Sequence, residues 1–292
     1  MSKILVLGAT GMLGHACEKL FLQDSRSEIV STSRNRSDNS IPFDVKCDSI
    51  EELLSKTNPD WIVNCIGVIK PHINESLYAS TQNAIEINSI FPHLIAKAIE
   101  GSHTKVIQIA TDCVFSGQTG LYSENNSHDA LDVYGKTKSL GEVNSDAFVH
   151  IRASIIGPER GRSTSLLEWF LGQKTGAETN GFTDHLWNGV TTHHFAKLAL
   201  AITKSQLFTP GVKHVIPSNI VTKAELLESF KEVYARDDIT INHIESAHKV
   251  NRTLSSSNIE FSDNLWSTAG YQSAPTVHQM VKEQFDFNAL HV

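Results

Sequence analysis

The sequence predicts an α/β chain built on a doubly wound parallel sheet, with a smaller C-terminal lobe attached. Three observations predict it. Short apolar runs alternate with amphipathic helical stretches from the first residues to about residue 156. The first apolar run, Ile4 to Leu7, ends directly in glycines at three-residue spacing, Gly8, Gly11 and Gly14. Beyond Ile156 the regular alternation gives way to a texture richer in glycine, threonine and tryptophan.

The elements follow in order. Ile4 to Leu7 is apolar throughout, as expected of a parallel strand covered on both faces. Gly8 permits the tight turn out of it, Gly11 lets backbone approach a pyrophosphate, and Gly14 lets the next helix pack close. The spacing is G-x-x-G-x-x-G, which differs from the common G-x-G-x-x-G fingerprint. A helix is expected over Leu13 to Leu22 and a strand over Glu28 to Ser33. Ile41 to Val45 reads as a short strand, and a helix capped by Asp48 follows over Ser49 to Lys56. Trp61 to Val68 reads as a buried strand passing under a ligand at Gly67. Ala84 to Glu100 is amphipathic with Pro92 inside it, so a kink or split is expected there. Lys105 to Ala110 and Val149 to Ile156 complete the strands of the first half, with a helix opening at Tyr134 between them.

In the second half, Thr192 to Lys204 reads as a helix and Val212 to Ile216 as a strand, both returning to the sheet. Thr222 to Tyr234 is a further amphipathic helix. The expected division is therefore a nucleotide domain over residues 1–156 with returns near 190–217, and a substrate lobe from 157–189 and 218–292.

Composition narrows the function. The 292 residues carry 25 basic and 32 acidic side chains, a formal charge of −7, so no general positive field invites nucleic acid. No apolar run approaches the roughly 20 residues that span a bilayer. Met1-Ser2-Lys3 leads straight into the first strand, so no signal peptide is expected. The four cysteines, Cys17, Cys47, Cys65 and Cys113, show no metal spacing, and those within apolar runs read as buried free thiols. A cytoplasmic protein is expected. Among 14 histidines, His193-His194 begins a helix rather than a metal site, and no metal is expected.

Candidate chemistry lies in three places. Tyr134 and Lys138 stand one helical turn apart. An adjacent ammonium and the positive nicotinamide of an oxidised cofactor favour the phenolate, so Tyr134 becomes a usable acid–base. Lys138 is also placed to hold the nicotinamide ribose. Thr111, at the carboxyl end of its strand, would hydrogen-bond the same substrate oxygen. After the second strand the chain offers Ser33 and Arg34, with Asn35-Arg36-Ser37 next, where an NAD site has an acidic residue. A guanidinium there pairs with a 2′-phosphate, so NADPH is expected, with NADH possible. Asp44 is placed to hydrogen-bond the adenine amino group. Arg160, Arg162 and Arg252 are anion candidates, with Arg252 either clamping a diphosphate or solvated. Trp187 either stacks on the sugar or base or fills the lobe's core.

These pieces carry a resemblance. Gly8-Ala9-Thr10-Gly11-Met12-Leu13-Gly14, Thr111-Asp112-Cys113-Val114-Phe115-Ser116-Gly117 and Tyr134-Gly135-Lys136-Thr137-Lys138-Ser139-Leu140-Gly141-Glu142 resemble the extended short-chain dehydrogenases/reductases, closest to the dTDP-4-dehydrorhamnose reductase group. The likeness covers the first half well and the second loosely. It implies a Rossmann fold, Thr111, Tyr134 and Lys138 as the catalytic set, and reduction of a 4-keto group on a nucleoside-diphosphate sugar by NADPH or NADH, feeding deoxysugar and surface polysaccharide synthesis. The implied cofactor contacts include Thr10, Met12 and Leu13 in the glycine turn, Val45 beside Asp44, and Cys65, Ile66 and Gly67 after the fourth strand. Ala110, and Asn88 as a structural or proton-relay partner, complete them. The substrate side implies Cys113, Val114 and Phe115, with Trp187, Asn188 and Arg252 from the second half. A homodimer is implied by the group alone.

Two departures stand out. Cys113 occupies the position where the group has Tyr after Thr-Asp, and Ile155-Ile156-Gly157-Pro158 stands where it has a tryptophan. The related sugar dehydratases carry Asp-Glu after the Thr, and Cys113 cannot supply that proton in the same way, which disfavours dehydration. The rival readings are a nucleotide-sugar epimerase and a cofactor-binding regulatory subunit without turnover.

Overall fold

The computed structural model describes residues 1–34, 40–159 and 164–289. Seven strands form one sheet: β1 (Ser2–Leu7), β2 (Ser27–Ser33), β3 (Ile41–Pro42), β4 (Trp61–Asn64), β5 (Lys105–Ala110), β6 (Phe148–Arg152) and a seventh, Gly211–His214. From edge to edge the order is Gly211–His214, β6, β5, β4, β1, β2, β3, and every pairing is parallel. This is a doubly wound, Rossmann-like α/β fold. The order reverses between β1 and β4, and at such a switch point a crevice opens beyond the carboxyl ends of the strands.

Alternation along β1 shows how the sheet is covered. Ile4 and Val6 face a core completed by Cys17 and Phe21 of helix α1 (Met12–Phe21) and by Phe195 and Leu198 of the helix Thr192–Lys204. Leu5 and Leu7 face the opposite core with Phe91 and Ile95. Phe91 is 1% exposed, so truncation to alanine there costs about 3–5 kcal/mol. A separate apolar cluster holds Phe170, Trp187, Leu226, Phe230 and Val281, all from the second half of the chain. Small two- and three-stranded sheets, such as Glu178–Phe182 beside Thr240–Ile244, frame it.

Several expected elements differ. The strand expected over Val149 to Ile156 divides into β6 and Ile155–Ile156, which pairs with Val190–Thr191 outside the main sheet, and the one expected over Ile41 to Val45 keeps only Ile41–Pro42. Helix α2 (Ile50–Thr57) is capped by Ser49, whose hydroxyl accepts from Glu52 N at 3.1 Å, while Asp48 instead accepts from Asp44 N. Strand β4 ends at Asn64, four residues early, because the Asn64 side chain accepts from Ile66 N and turns the chain off the sheet. The kink or split expected at Pro92 takes another form. Helices α3 (Tyr78–Ala84) and α4 (Phe91–Ala98) are joined by a π-helical turn over Ile85–Ile90. Pro92 has no N–H to offer the Asn88 carbonyl, and the wider turn absorbs that loss.

Candidate active site

The crevice at the switch point consists of two adjoining cavities that share Gly11, Cys65 and Gly67. The outer one encloses about 650 Å³ and the inner about 410 Å³.

The glycine turn forms the floor of the outer cavity. Gly8 has φ +82°, a conformation that side chains resist. A Cβ on Gly14 would stand 2.2 Å from the Gly8 carbonyl oxygen, so only glycine lets α1 pack this close. Gly14 lines neither cavity; its role is packing. No side chain caps the first turn of α1, so its leading N–H groups remain for a ligand anion. Thr10, Ser33, Arg34, Asp44, Val45 and Ile66 complete this wall. Arg34 is exposed and Ser33 is buried with its hydroxyl 2.6 Å from that of Ser40. Asn35-Arg36-Ser37 and the anion candidates Arg160 and Arg162 lie outside the described residues. The uncapped helix start, the close glycine turn and the neighbouring guanidinium suit a phosphorylated dinucleotide.

The inner cavity gathers Met12, Leu13, Ala110, Thr111, Cys113, Tyr134 and Lys138. Thr111 directly follows β5, and its hydroxyl accepts from Cys113 N and lies 3.2 Å from an Asp112 carboxylate oxygen. Tyr134 and Lys138 belong to helix α5 (Val133–Leu140), started by Asp132, which accepts from Gly135 N at 2.8 Å. Asp132 also takes the Lys70 ammonium at 2.9 Å, which ties the loop after β4 to the start of α5. Burial pushes the Tyr134 phenol well above its usual range, and the Thr111 hydroxyl beside it opposes that rise. Burial pulls Lys138 down to about 8, while its Nζ donates to the Ile109 carbonyl at 2.8 Å. The Cys113 thiol is pushed up to about 12 by burial and by Asp112, so it is protonated at neutral pH.

Several expected contacts fall elsewhere. Asn88 lines neither cavity: its amide accepts from Val68 N, donates to Val68 O, and donates to the Thr137 hydroxyl at 3.2 Å. It locks the loop after β4 against α5. Val114 and Phe115 are wholly buried with Tyr122 and Leu254, because the 3₁₀ turn Asp112–Val114 rotates them away from the cavity. Asn188 spends both ends of its amide on the Leu254 backbone, at 2.7 and 2.9 Å. Arg252 donates its Nε to the Phe115 carbonyl at 2.9 Å and is not on the wall of the inner cavity. Trp187 belongs to the lobe's core, with its Nε1 on Ser154 at 2.8 Å, and also lines the cavity.

Among the wall residues without a sequence signal are Ser154 and Lys223. Lys223 is the first residue of the helix Lys223–Val233, whose Thr222–Glu225 capping box marks only a helix start. Its ammonium reaches the inner cavity, 5.6 Å from the centre of the Trp187 ring.

The fold and this crevice define a dinucleotide-fold protein with a Thr/Tyr/Lys constellation in its inner cavity. The model of the RmlD substrate binding domain matches residues 2–287, and the chain belongs to that family. It is 33% identical over 145 residues to methionine adenosyltransferase 2 subunit beta of Danio rerio, covering 48% of this chain and 42% of that one. It is 28% identical over 152 residues to dTDP-4-dehydrorhamnose reductase of Aggregatibacter actinomycetemcomitans, covering 49% and 46%. The matches thus span less than half the length of these curated relatives. The fold is shared with the crystal structure of dTDP-4-dehydrorhamnose reductase from Bacillus anthracis in complex with NADP, at 17% identity and TM-score 0.75, over 98% of this chain and 99% of that one. Among the described residues no helix is long and apolar enough to cross a membrane.

Proposed function

We propose that this chain is an NADP(H)-dependent reductase of the short-chain dehydrogenase/reductase superfamily, acting on a 4-keto group of a nucleoside-diphosphate sugar. The observation that carries this reading is the gathering of Thr111, Tyr134 and Lys138 on one wall of the cavity that adjoins the glycine turn. The glycine turn and Arg34 would hold NADPH, which would supply a hydride to the keto carbon. Thr111 and Tyr134 hydrogen-bond the keto oxygen and hold it in place. As charge develops on that oxygen, the protonated phenol donates its proton. Lys138 holds the nicotinamide ribose and, as an ammonium, favours the phenolate left behind. Cys113, protonated, stands where the sugar dehydratases carry a glutamate and cannot supply that group's proton in the same way. The product belongs to deoxysugar supply for surface polysaccharide.

NADPH consumption over a panel of dTDP-, UDP-, GDP- and CDP-linked 4-keto-6-deoxy sugars tests it. Turnover on one nucleotide class is expected, and Tyr134→Phe should lower kcat by 10²–10⁴-fold while leaving NADPH affinity unchanged. The similarity to the methionine adenosyltransferase subunit favours a second reading, a cofactor-binding subunit without turnover. Tight NADPH binding with no consumption on any sugar would establish that reading instead. Sugar inversion without net consumption would establish an epimerase.

A further inference from the structure

Two free cysteines from distant parts of the chain meet at the crevice. The Sγ atoms of Cys17 and Cys65 lie 3.9 Å apart, although the residues are 48 positions apart in sequence. Their surroundings differ. Cys17 sits on α1, wholly buried in the same core as Phe21, and burial pushes its thiol well above the usual range. Such a thiol is inert by itself. Cys65 is the first residue after β4, is partly exposed, and lines both cavities. A small oxidant entering the crevice reaches it. The Lys138 ammonium is an electrostatic neighbour of Cys65, and a cation there stabilises the hydroxide that leaves a peroxide.

We propose that this pair is a redox switch on the dinucleotide site: a hydroperoxide oxidises it to a Cys17–Cys65 disulfide, and the cross-link lowers NADPH affinity. This goes beyond the reductase reading and rests only on the crevice holding a dinucleotide. With hydrogen peroxide, the Cys65 sulfur attacks one oxygen and the O–O bond breaks. The departing hydroxide takes the Cys65 proton and leaves as water, so Cys65 becomes a sulfenic acid. The Cys17 sulfur then attacks the Cys65 sulfur and the S–O bond breaks. The departing hydroxyl takes the Cys17 proton and leaves as a second water, so no free Cys17 thiolate is needed. Two thiols lose two electrons and one peroxide is reduced to two waters. A small dithiol reverses the step by exchange.

The cross-link has to move one side of the crevice. The sulfurs must close from 3.9 Å to about 2.05 Å. Helix α1 is held on the sheet by the close packing of Gly14 against the Gly8 carbonyl. Cys65 instead lies where the Asn64 side chain turns the chain off the sheet. The bond therefore draws the segment 65–67 toward α1. That segment supplies Cys65 and Gly67 to both cavities, so the wall they share changes shape.

The full chain is treated briefly with hydrogen peroxide and desalted. Peptide mass spectrometry without reduction reads the cross-link, and a fluorescence titration reads NADPH affinity. A Cys17–Cys65 peptide is expected, with NADPH bound at least about 10-fold more weakly, and dithiothreitol should restore both. Cys17→Ala and Cys17→Ser should bind NADPH normally when reduced and stay within about 2-fold of that after the same treatment. Oxidation of Cys65 without the cross-link, a cross-link that leaves NADPH affinity unchanged, or an equal loss in the Cys17 variants overturns the switch. In each of those cases the reduced protein still binds NADPH, so the dinucleotide reading stands. A reduced wild type that binds no NADPH overturns that reading and the switch together.

Discussion

At the scale of single residues, the proposed reductase would have its working pH range set by Lys138. Its ammonium sits almost wholly buried on α5, and burial brings its pKa to about 8. The Tyr134 phenol moves the other way, upward, so it is protonated throughout the neutral range. The proposed reduction needs both groups protonated, the phenol to give its proton and the ammonium to hold the ribose and favour the phenolate. kcat/KM for reduction should therefore be flat below pH 7.5 and fall as pH rises through about 8. Lys223 titrates in the same range, so the profile is read in the Lys223→Gln background with a neutral keto sugar. An arginine stays protonated there, and Lys138→Arg should move the falling limb upward, whatever its cost in rate. A limb that stays near pH 8 in that variant would show that Lys138 does not set it.

At the scale of elements, the β1–α1 turn separates two uses of glycine. A Cβ on Gly14 would lie 2.2 Å from the Gly8 carbonyl oxygen, whereas one on Gly11 would lie 3.4 Å from it, an ordinary contact. Gly14→Ala should push α1 off the sheet, costing about 1–3 kcal/mol of stability and weakening NADPH binding together. Gly11→Ala should melt within a degree or two of wild type and still lose NADPH affinity at least 10-fold, because its methyl group occupies the approach of the pyrophosphate. Melting curves and NADPH titrations on the two variants decide it, and equal melting loss in both would contradict the division. That turn was legible in the sequence because its signals are local: an apolar run, then glycines at fixed spacing. Tyr134 and Lys138 were legible for the same reason, one helical turn apart. Val114 and Phe115 misled because nearness to Thr111 in sequence says nothing of a 3₁₀ turn that sends them into the core. Lys223 left no trace at all, since it meets Asp112 and Trp187 only through the tertiary fold.

At the scale of the whole molecule, the sheet, the site loop and the second half of the chain meet at one buried guanidinium. Arg152, at the end of β6 and 1% exposed, bonds Glu142 at 2.6 Å and donates to His128 and His214 at 2.8 Å each. The Phe115 ring lies under it at 5.1 Å, and His214 Nδ1 reaches the Ser255 carbonyl at 2.8 Å. Accepting from a guanidinium requires both imidazoles to be neutral, and burial pulls His214 down to about 4. His193, half-buried beside His194, falls to about 3. The unfolded chain protonates these rings near pH 6.5 and the folded one does not, so the unfolded state binds more protons across that interval. Stability must then fall as pH drops from about 6.5 toward 4. For His214 alone the loss between pH 7 and pH 5 is about 2 kcal/mol. A glutamine can accept from Arg152 without titrating, so His214→Gln should lose less stability than wild type over that interval, by about the same amount. Urea midpoints at pH 7 and pH 5 measure it. Parallel losses in the two proteins would mean that His214 is already charged in the fold, and that Arg152 is held by Glu142 without it.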